Sequence, residues 1–231
     1  MVWRMFTFFM VQLSIYLVIP LLGWLLGSPT AALSQPGEDL LAFIQNPARL
    51  TFAIIVLVQA LTRAWIARIH PLPRLSEAPR SDLNHWRNIA FETIIVLAPF
   101  SDRRDLIVWQ DTPILRWIGL ALYVLGMAWN LYAFWSYLKH EKTQAQTPDQ
   151  LLLMDNGAFR RVRHPAQTAM LAFSLGLALL FRSWIGVFAL VFMLNFVFMN
   201  IREEEQSLAV KYGAQWEEYV KKTWRLIPRI Y

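Results

Sequence analysis

The sequence predicts an all-α fold: a polytopic membrane helix bundle of about six transmembrane helices plus a C-terminal amphipathic helix. Three observations carry this prediction. First, 56% of the 231 residues are hydrophobic and only 16% are charged, whereas soluble domains carry about 25% charged residues. A soluble core of this size has no room for so many large apolar side chains, among them 11 Trp and 15 Phe. Second, the apolar residues collect into six long stretches. Third, Lys and Arg concentrate in alternate connections, as orientation signals do.

The stretches fall at roughly 5–26, 48–69, 86–100, 113–138, 166–181 and 184–200. A full crossing takes about 20 apolar residues. The first, second and fourth stretches meet that length. The third, fifth and sixth are shorter, so they must recruit neighbouring residues or thin the bilayer locally. The first run exceeds the roughly 7–15 apolar residues of a signal peptide, so it reads as a retained helix with Arg4 at its start. Residues 70–85 contain Pro71, Pro73 and Pro79 and read as a loop on the same side as the N-terminus. No fixed-period repeat and no low-complexity linker is visible.

With the N-terminus in the cytoplasm, all but five of the 22 Lys and Arg lie on the inner side. The five are Arg49, Arg103, Arg104, Arg116 and Arg182, and Asp102, Asp105 and Asp111 share their side. This bias predicts both termini on the cytoplasmic side, and the compact chain reads as an integral protein of a bacterial plasma membrane. The net charge of +6 is spread over these connections rather than gathered on one face, so nucleic acid is not an expected partner. The absence of Cys excludes disulfides, thiolate metal sites and cysteine nucleophiles. No metal site is expected either, because His70, His85, His140 and His164 show no ligand spacing. The chain divides into N-terminal membrane helices at 1–138 and a region at 139–231 holding the final transmembrane hairpin and the C-terminal helix.

The candidate chemistry lies in that second region. Pro165 follows a basic cluster and precedes an apolar run. Proline at a first helical position sacrifices no hydrogen bond, because that amide has no intrahelical partner. A helix is therefore predicted to start here with its positive end toward the cytoplasm. Arg160, Arg161, Arg163 and His164 add cationic donors suited to a ligand anion. Plain topology marking also explains them, since basic residues flank membrane helices on the inner side.

Opposite them, a helix is expected to begin near Ile201. At about 100° per residue, Ile201, Leu208, Tyr212, Trp216 and Tyr219 form one apolar stripe. Glu205 lies near its middle, Glu204 at its edge, and Glu203 points away. A carboxylate on an apolar face needs a partner, and Arg163, Arg202 or a cationic ligand are the available ones. The competing reading is acids in a first helical turn, favoured by the helix dipole. Gln12, Gln59, Glu92, Asn130 and Asn195 interrupt the apolar runs; interhelical hydrogen bonding is the expectation for the two asparagines. Trp65, Trp86, Trp117 and Tyr137 read as interfacial anchors.

The C-terminal 80 or so residues resemble the isoprenylcysteine carboxyl methyltransferase and phospholipid methyltransferase superfamily of integral membrane enzymes. The likeness runs through Leu152-Leu153, Gly157 with Phe159-Arg160, Arg163-His164-Pro165, Glu204-Glu205 with Leu208, Tyr212-Gly213, Tyr219 and Ile227-Pro228. It implies S-adenosylmethionine as cofactor, bound on the cytoplasmic side by Leu152, Leu153, Met154, Gly157, Phe159, Arg163, His164, Pro165, Glu204 and Glu205. In this likeness the backbone at 152–154 meets the adenine, Gly157 permits close approach and Phe159 packs nearby. Arg163 and His164 hold the methionine carboxylate, and Glu204 and Glu205 face the ammonium end or the ribose. His164, Glu204 and Glu205 are the candidate catalytic residues. The chain departs from the family pattern at Gln167 and Trp216, where Tyr is common, and at Ala158, where Pro is common.

The activity implied is methyl transfer to a lipid-like or amphiphilic acceptor at the cytoplasmic membrane face. Carboxylate, amine and thiol acceptors stay open, and the absence of an obvious dedicated base favours the carboxylate and thiol. Two other classes compete: an NADPH-dependent membrane reductase with a similar C-terminal region, and a non-catalytic membrane accessory protein on the same fold.

Overall fold

The computed structural model describes residues 17–26, 36–69, 82–146 and 153–228. Eight α-helices and one 3-10 turn occur among them: α1 (Ile19–Leu26), α2 (Pro36–Gln45), α3 (Pro47–Ile69), α4 (Asp82–Arg104), α5 (Pro113–Gln146), the turn Gly157–Arg160, α6 (Pro165–Leu180), α7 (Trp184–Tyr212) and α8 (Ala214–Lys222). No strand occurs among the described residues; Val108 with Ser183 and Val162 with Trp224 form isolated bridges. The all-helical expectation therefore holds. The helices beginning at Pro113 and Trp184 are long and apolar enough to cross a membrane, while Pro47–Thr62 and Pro165–Leu180 are shorter apolar segments. Most of the first apolar stretch, at 5–16, and most of the proline-containing loop, at 70–81, lie outside the described residues.

The helix starts follow local chemistry. Pro36, Pro47, Pro113 and Pro165 each stand at a first helical position, where their missing amide costs nothing. Ahead of α3, the Asn46 side-chain oxygen accepts from the Ala48 and Arg49 amides at 3.1 and 3.3 Å. Ahead of α7, Ser183 Oγ accepts from Gly186 N at 3.0 Å. Both contacts satisfy amides that the helix itself leaves open.

One expectation is corrected. No separate helix begins near Ile201: α7 runs unbroken from Trp184 to Tyr212, so the last apolar stretch and the Glu-rich segment are one rod. The reason is the absence of any Gly or Pro between Ile201 and Tyr212, a run rich in good helix formers. The break falls at Gly213, whose φ of 53° is left-handed. The C-terminal amphipathic helix is then the short α8, which buries Trp216 and Tyr219.

Packing is tightest between α5 and α6. A Cβ on Gly119 would stand 2.5 Å from Leu180 N, one on Gly176 would stand 2.5 Å from Tyr123 N, and one on Gly126 would stand 2.8 Å from Phe173 N. These three positions let two backbones touch, as small residues do in membrane interfaces. α4 lies along α7, and Phe52, Tyr123, Phe173 and Phe181 stack edge to face in the common core. Asn195 departs from the interhelical role expected of it, because its amide donates to Val191 O at 3.2 Å within its own helix.

At one end of the bundle, Asp102 on α4 is fully buried among three arginines. Arg49 Nη1, Arg116 Nη2 and Arg182 Nε reach its carboxylate at 3.0, 2.9 and 2.6 Å. Asp111 holds Arg116 at 2.7 Å and Asp105 holds Arg182 at 3.0 Å. Arg116 also donates to Leu180 O at 2.7 Å, at the C-terminal end of α6. These groups look in the sequence like orientation markers; in the structure they form a closed ionic clasp.

Candidate functional site

The opposite end carries the sequence-predicted site residues. The backbone of 161–164 is tied to 224–225: Trp224 N donates to Arg161 O at 3.0 Å, Arg163 N to Trp224 O at 2.8 Å, and His164 N to Arg225 O at 3.1 Å. Thr168 Oγ1 adds a bond to Leu226 O at 2.9 Å. The C-terminal segment after α8 is thereby laced onto the start of α6, beside the end of α7.

Five charged side chains meet there. Arg163 Nε donates to Glu205 Oε1 at 2.9 Å, and Arg225 Nε to Glu205 Oε2 at 2.9 Å. His164 lies between the two acids, with Nε2 3.4 Å from Glu205 and Nδ1 3.3 Å from Glu204. Glu205 is largely covered, with 12% of its side chain exposed, whereas Glu204 is 55% exposed. The sequence expectation that both acids face the protein body thus holds for Glu205. Glu204 stands at the rim, one helical step round, and reaches inward to the imidazole. Arg163, one of the partners that the sequence offered, is the one found on Glu205; Arg225 is a second that the sequence did not suggest.

Burial alone would lower the His164 pKa, but the Glu204 and Glu205 carboxylates outweigh it and raise the value above 6.5. The arrangement favours an imidazolium held between two carboxylates. Arg163 is committed as well: its Nη1 donates to Thr223 O at 2.6 Å and Val220 O at 3.3 Å. It acts as the pin joining α7, the 161–164 segment and the chain after α8.

On the other side of that pin is a cavity of about 1140 Å³. Leu153, Asp155, Asn156 and Gly157 form one wall, and Tyr219 and Thr223 form the other. Arg160, Glu218 and Lys222 place both signs of charge on its lining. Tyr219 closes the base by donating to Phe159 O at 2.7 Å. Gly157, at φ 58°, lies so close to α5 that a Cβ would stand 2.2 Å from Ser136 Oγ. That hydroxyl accepts from Ala158 N at 3.0 Å. A second cavity of about 430 Å³ shares Asn156 and Gly157 and opens beside Tyr132, Trp135, Lys139 and Lys142 of α5.

The predicted residues therefore divide. Leu153 and Gly157 line the large cavity. Arg163, His164, Glu204 and Glu205 form the ionic group, which touches the cavity wall through the Arg163–Thr223 contact. Phe159 contributes its carbonyl to the Tyr219 bond, Pro165 starts α6, and Met154 is half-buried beside Leu153. Leu152 lies outside the described residues. Sequence reasoning missed Ser136, Asp155, Asn156, Thr223 and Arg225. Asp155-Asn156 immediately before Gly157 is a turn signal that could have pointed to the first wall; nothing in the local sequence marks Thr223 or Arg225.

Residues 114–215 match the family model PEMT, phospholipid methyltransferase. That family is part of the integral membrane methyltransferase superfamily, so the similarity extends to that superfamily over this segment. The superfamily match takes in α5, Gly157, the Arg163-His164-Pro165 sequence and all of α7, and it implies a methyltransferase. It ends before Trp216, Tyr219 and Arg225, and α1 to α4 lie ahead of it. Searches of curated proteins and of solved structures each gave no match. The superfamily match and the two long apolar helices together support membrane association and a lipid-like substrate.

Proposed function

We propose that the protein is an S-adenosylmethionine-dependent methyltransferase acting on an amphiphilic, lipid-like acceptor at the cytoplasmic membrane face. The observation that supports this most directly is the superfamily match over the segment whose Gly157, Arg163-His164 and Glu204-Glu205 elements meet at one end of the bundle. The residues present fit such a cofactor. The large cavity has the volume of a small-molecule site, an apolar edge at Leu153, and carboxylates at Asp155 and Glu218 able to accept hydrogen bonds from ribose hydroxyls.

When bound, the cofactor supplies an electrophilic methyl on a sulfonium. The chain's task is then positioning and exclusion of water. Leu153, Met154, Gly157 and Phe159 are assigned to the nucleoside. Arg163 acts through Glu205 and Thr223 by fixing the cavity wall against α7. His164, Glu204 and Glu205 make the charged rim at the amino-acid end, with Pro165 holding the start of α6 beneath it. The smaller cavity, bordered by Tyr132 and Trp135, suits the polar end of an acceptor whose apolar part lies along α5. Carboxylate and thiolate acceptors need no general base at neutral pH; an amine must first lose its proton, and the Glu204 and Glu205 carboxylates, which flank the His164 imidazolium, are the groups placed to take it.

Calorimetric titration with S-adenosylhomocysteine in detergent, followed by mass spectrometry of a lipid extract incubated with S-adenosylmethionine, tests the reading. Saturable binding and a lipid heavier by one methyl are expected, and His164→Ala abolishes the methylated product. Preferential binding of NADPH, with no methylated lipid, would overturn it.

A further inference from the structure

The charged groups that the sequence offers for a ligand carboxylate are largely occupied by one another. Arg163 is spent on Glu205 and on two backbone carbonyls, and Arg225 holds the other oxygen of Glu205. A ligand anion at this rim needs another cation. One is contributed by α4, which lies wholly ahead of the family-matched segment.

Arg87 sits one residue after Trp86, whose ring stacks on Phe196 of α7 at 6.3 Å between centroids. Phe196 and Glu204 are eight residues apart on the same helix, about 12 Å along its axis, so the first turns of α4 run beside the segment of α7 that leads to the rim. The Arg87 guanidinium is half-buried and feels the Glu204 carboxylate. Among the described residues its Nε is buried with no hydrogen-bond partner, and its side-chain bond is a single exposed one from Nη2 to Asn88 Oδ1 at 3.2 Å. A half-buried guanidinium with an idle donor is costly, since a covered polar group without a partner forfeits its hydration. Glu204, for its part, has one oxygen on His164 and is more than half exposed. Cation and anion thus stand near each other without an ion pair joining them.

Resting on the methyltransferase reading, we propose that Arg87 is a binding residue of this site. It takes the carboxylate of the cofactor's amino-acid end through a charge-assisted hydrogen bond, while Glu204 faces the neighbouring ammonium. The N-terminal helices then complete the site as well as anchoring it.

The test compares two ligands on one protein by calorimetry in detergent: S-adenosylhomocysteine, and 5′-methylthioadenosine, which keeps the nucleoside and thioether but lacks the carboxylate and ammonium. Arg87→Gln is expected to raise the Kd of S-adenosylhomocysteine at least tenfold and to leave that of 5′-methylthioadenosine unchanged, with Arg87→Lys recovering part of the loss. Equal weakening of both ligands, or no weakening of either, overturns the assignment to Arg87 while leaving the methyltransferase reading intact. Failure of the unaltered protein to bind either ligand overturns both. If Arg87→Gln does not fold, the S-adenosylhomocysteine carboxamide replaces the variant. It is expected to bind the unaltered protein at least tenfold more weakly than the acid, and Arg87→Lys is expected to narrow that gap; an unchanged gap overturns the proposal.

Discussion

The two ends of the bundle both gather arginines around a carboxylate, and they do so in opposite ways. At the Asp102 end the acid is completely covered, three guanidiniums converge on it, and two further acids balance them. At the Glu205 end the acid is also gripped, by Arg163 and Arg225, but its neighbour Glu204 stays more than half exposed and a cavity of about 1140 Å³ opens behind the pin. The non-glycine residues with left-handed φ, Asp105, Ile107 and Arg182, all belong to the closed end among the described residues. Tight turns there are held by ionic contacts that span α3, α4, α5 and the α6–α7 connection. The lesson is that a charge cluster with every group saturated works as a fastening. One that keeps a half-free acid beside a cavity has capacity left for a ligand.

The strongest way to break this comparison is Asp102→Asn. Removing the negative charge leaves buried guanidiniums short of compensation, a change that typically costs about 3–5 kcal/mol. A large fall in Tm in detergent is expected, while the folded fraction keeps its affinity for S-adenosylhomocysteine. Loss of affinity without loss of Tm would erase the distinction between the two ends.

A smaller effect is expected at Gly157→Ala. The left-handed φ of 58° and the approach to Ser136 Oγ both oppose a Cβ, and a non-glycine residue in that region costs about 1–3 kcal/mol. Here ligand affinity should fall by a larger factor than stability, because the strain is delivered to the wall shared by the two cavities. A titration showing normal affinity with reduced Tm would assign Gly157 to the fold alone.

The smallest effect is the pH dependence of His164. Its folded pKa is raised above the unfolded value near 6.5, so the folded protein binds this proton more tightly. The associated stability is fully present below about pH 6.5 and is lost as pH rises through the higher folded value. Tm measured from pH 6 upward should therefore decline gently, and His164→Gln should flatten that component. A slope of the opposite sign would mean that the two carboxylates do not govern the imidazole.

Much of the fold was legible because apolar runs and proline-led starts are local signals: α3, α5, α6 and α7 all fall where those signals place them. The short helix α2 was missed, although Pro36 followed by Glu38 and Asp39 is a helix-start pattern. The junction at Ile201 was misjudged because a change of composition was taken for a change of element; chain geometry there offers no break until Gly213. The pairing of Arg163 with Glu205 was among the options that the sequence gave, since a carboxylate on an apolar face demands a cation. The Asp102 clasp was not, because residues 49, 102, 116 and 182 are brought together only by the packing of separate helices. Arg225 and Thr223 escaped for the same reason.

The glycine-lined contact between α5 and α6 has a consequence for traffic. Where Gly119 meets Leu180 and Gly126 meets Phe173, the two main chains approach more closely than any hydrocarbon tail is wide. That seam is a sealed hull: a molecule diffusing within the membrane has no doorway along it. Entry toward the reactive end has to come around another flank of the bundle, and a crosslink placed across the seam should leave such passage undisturbed.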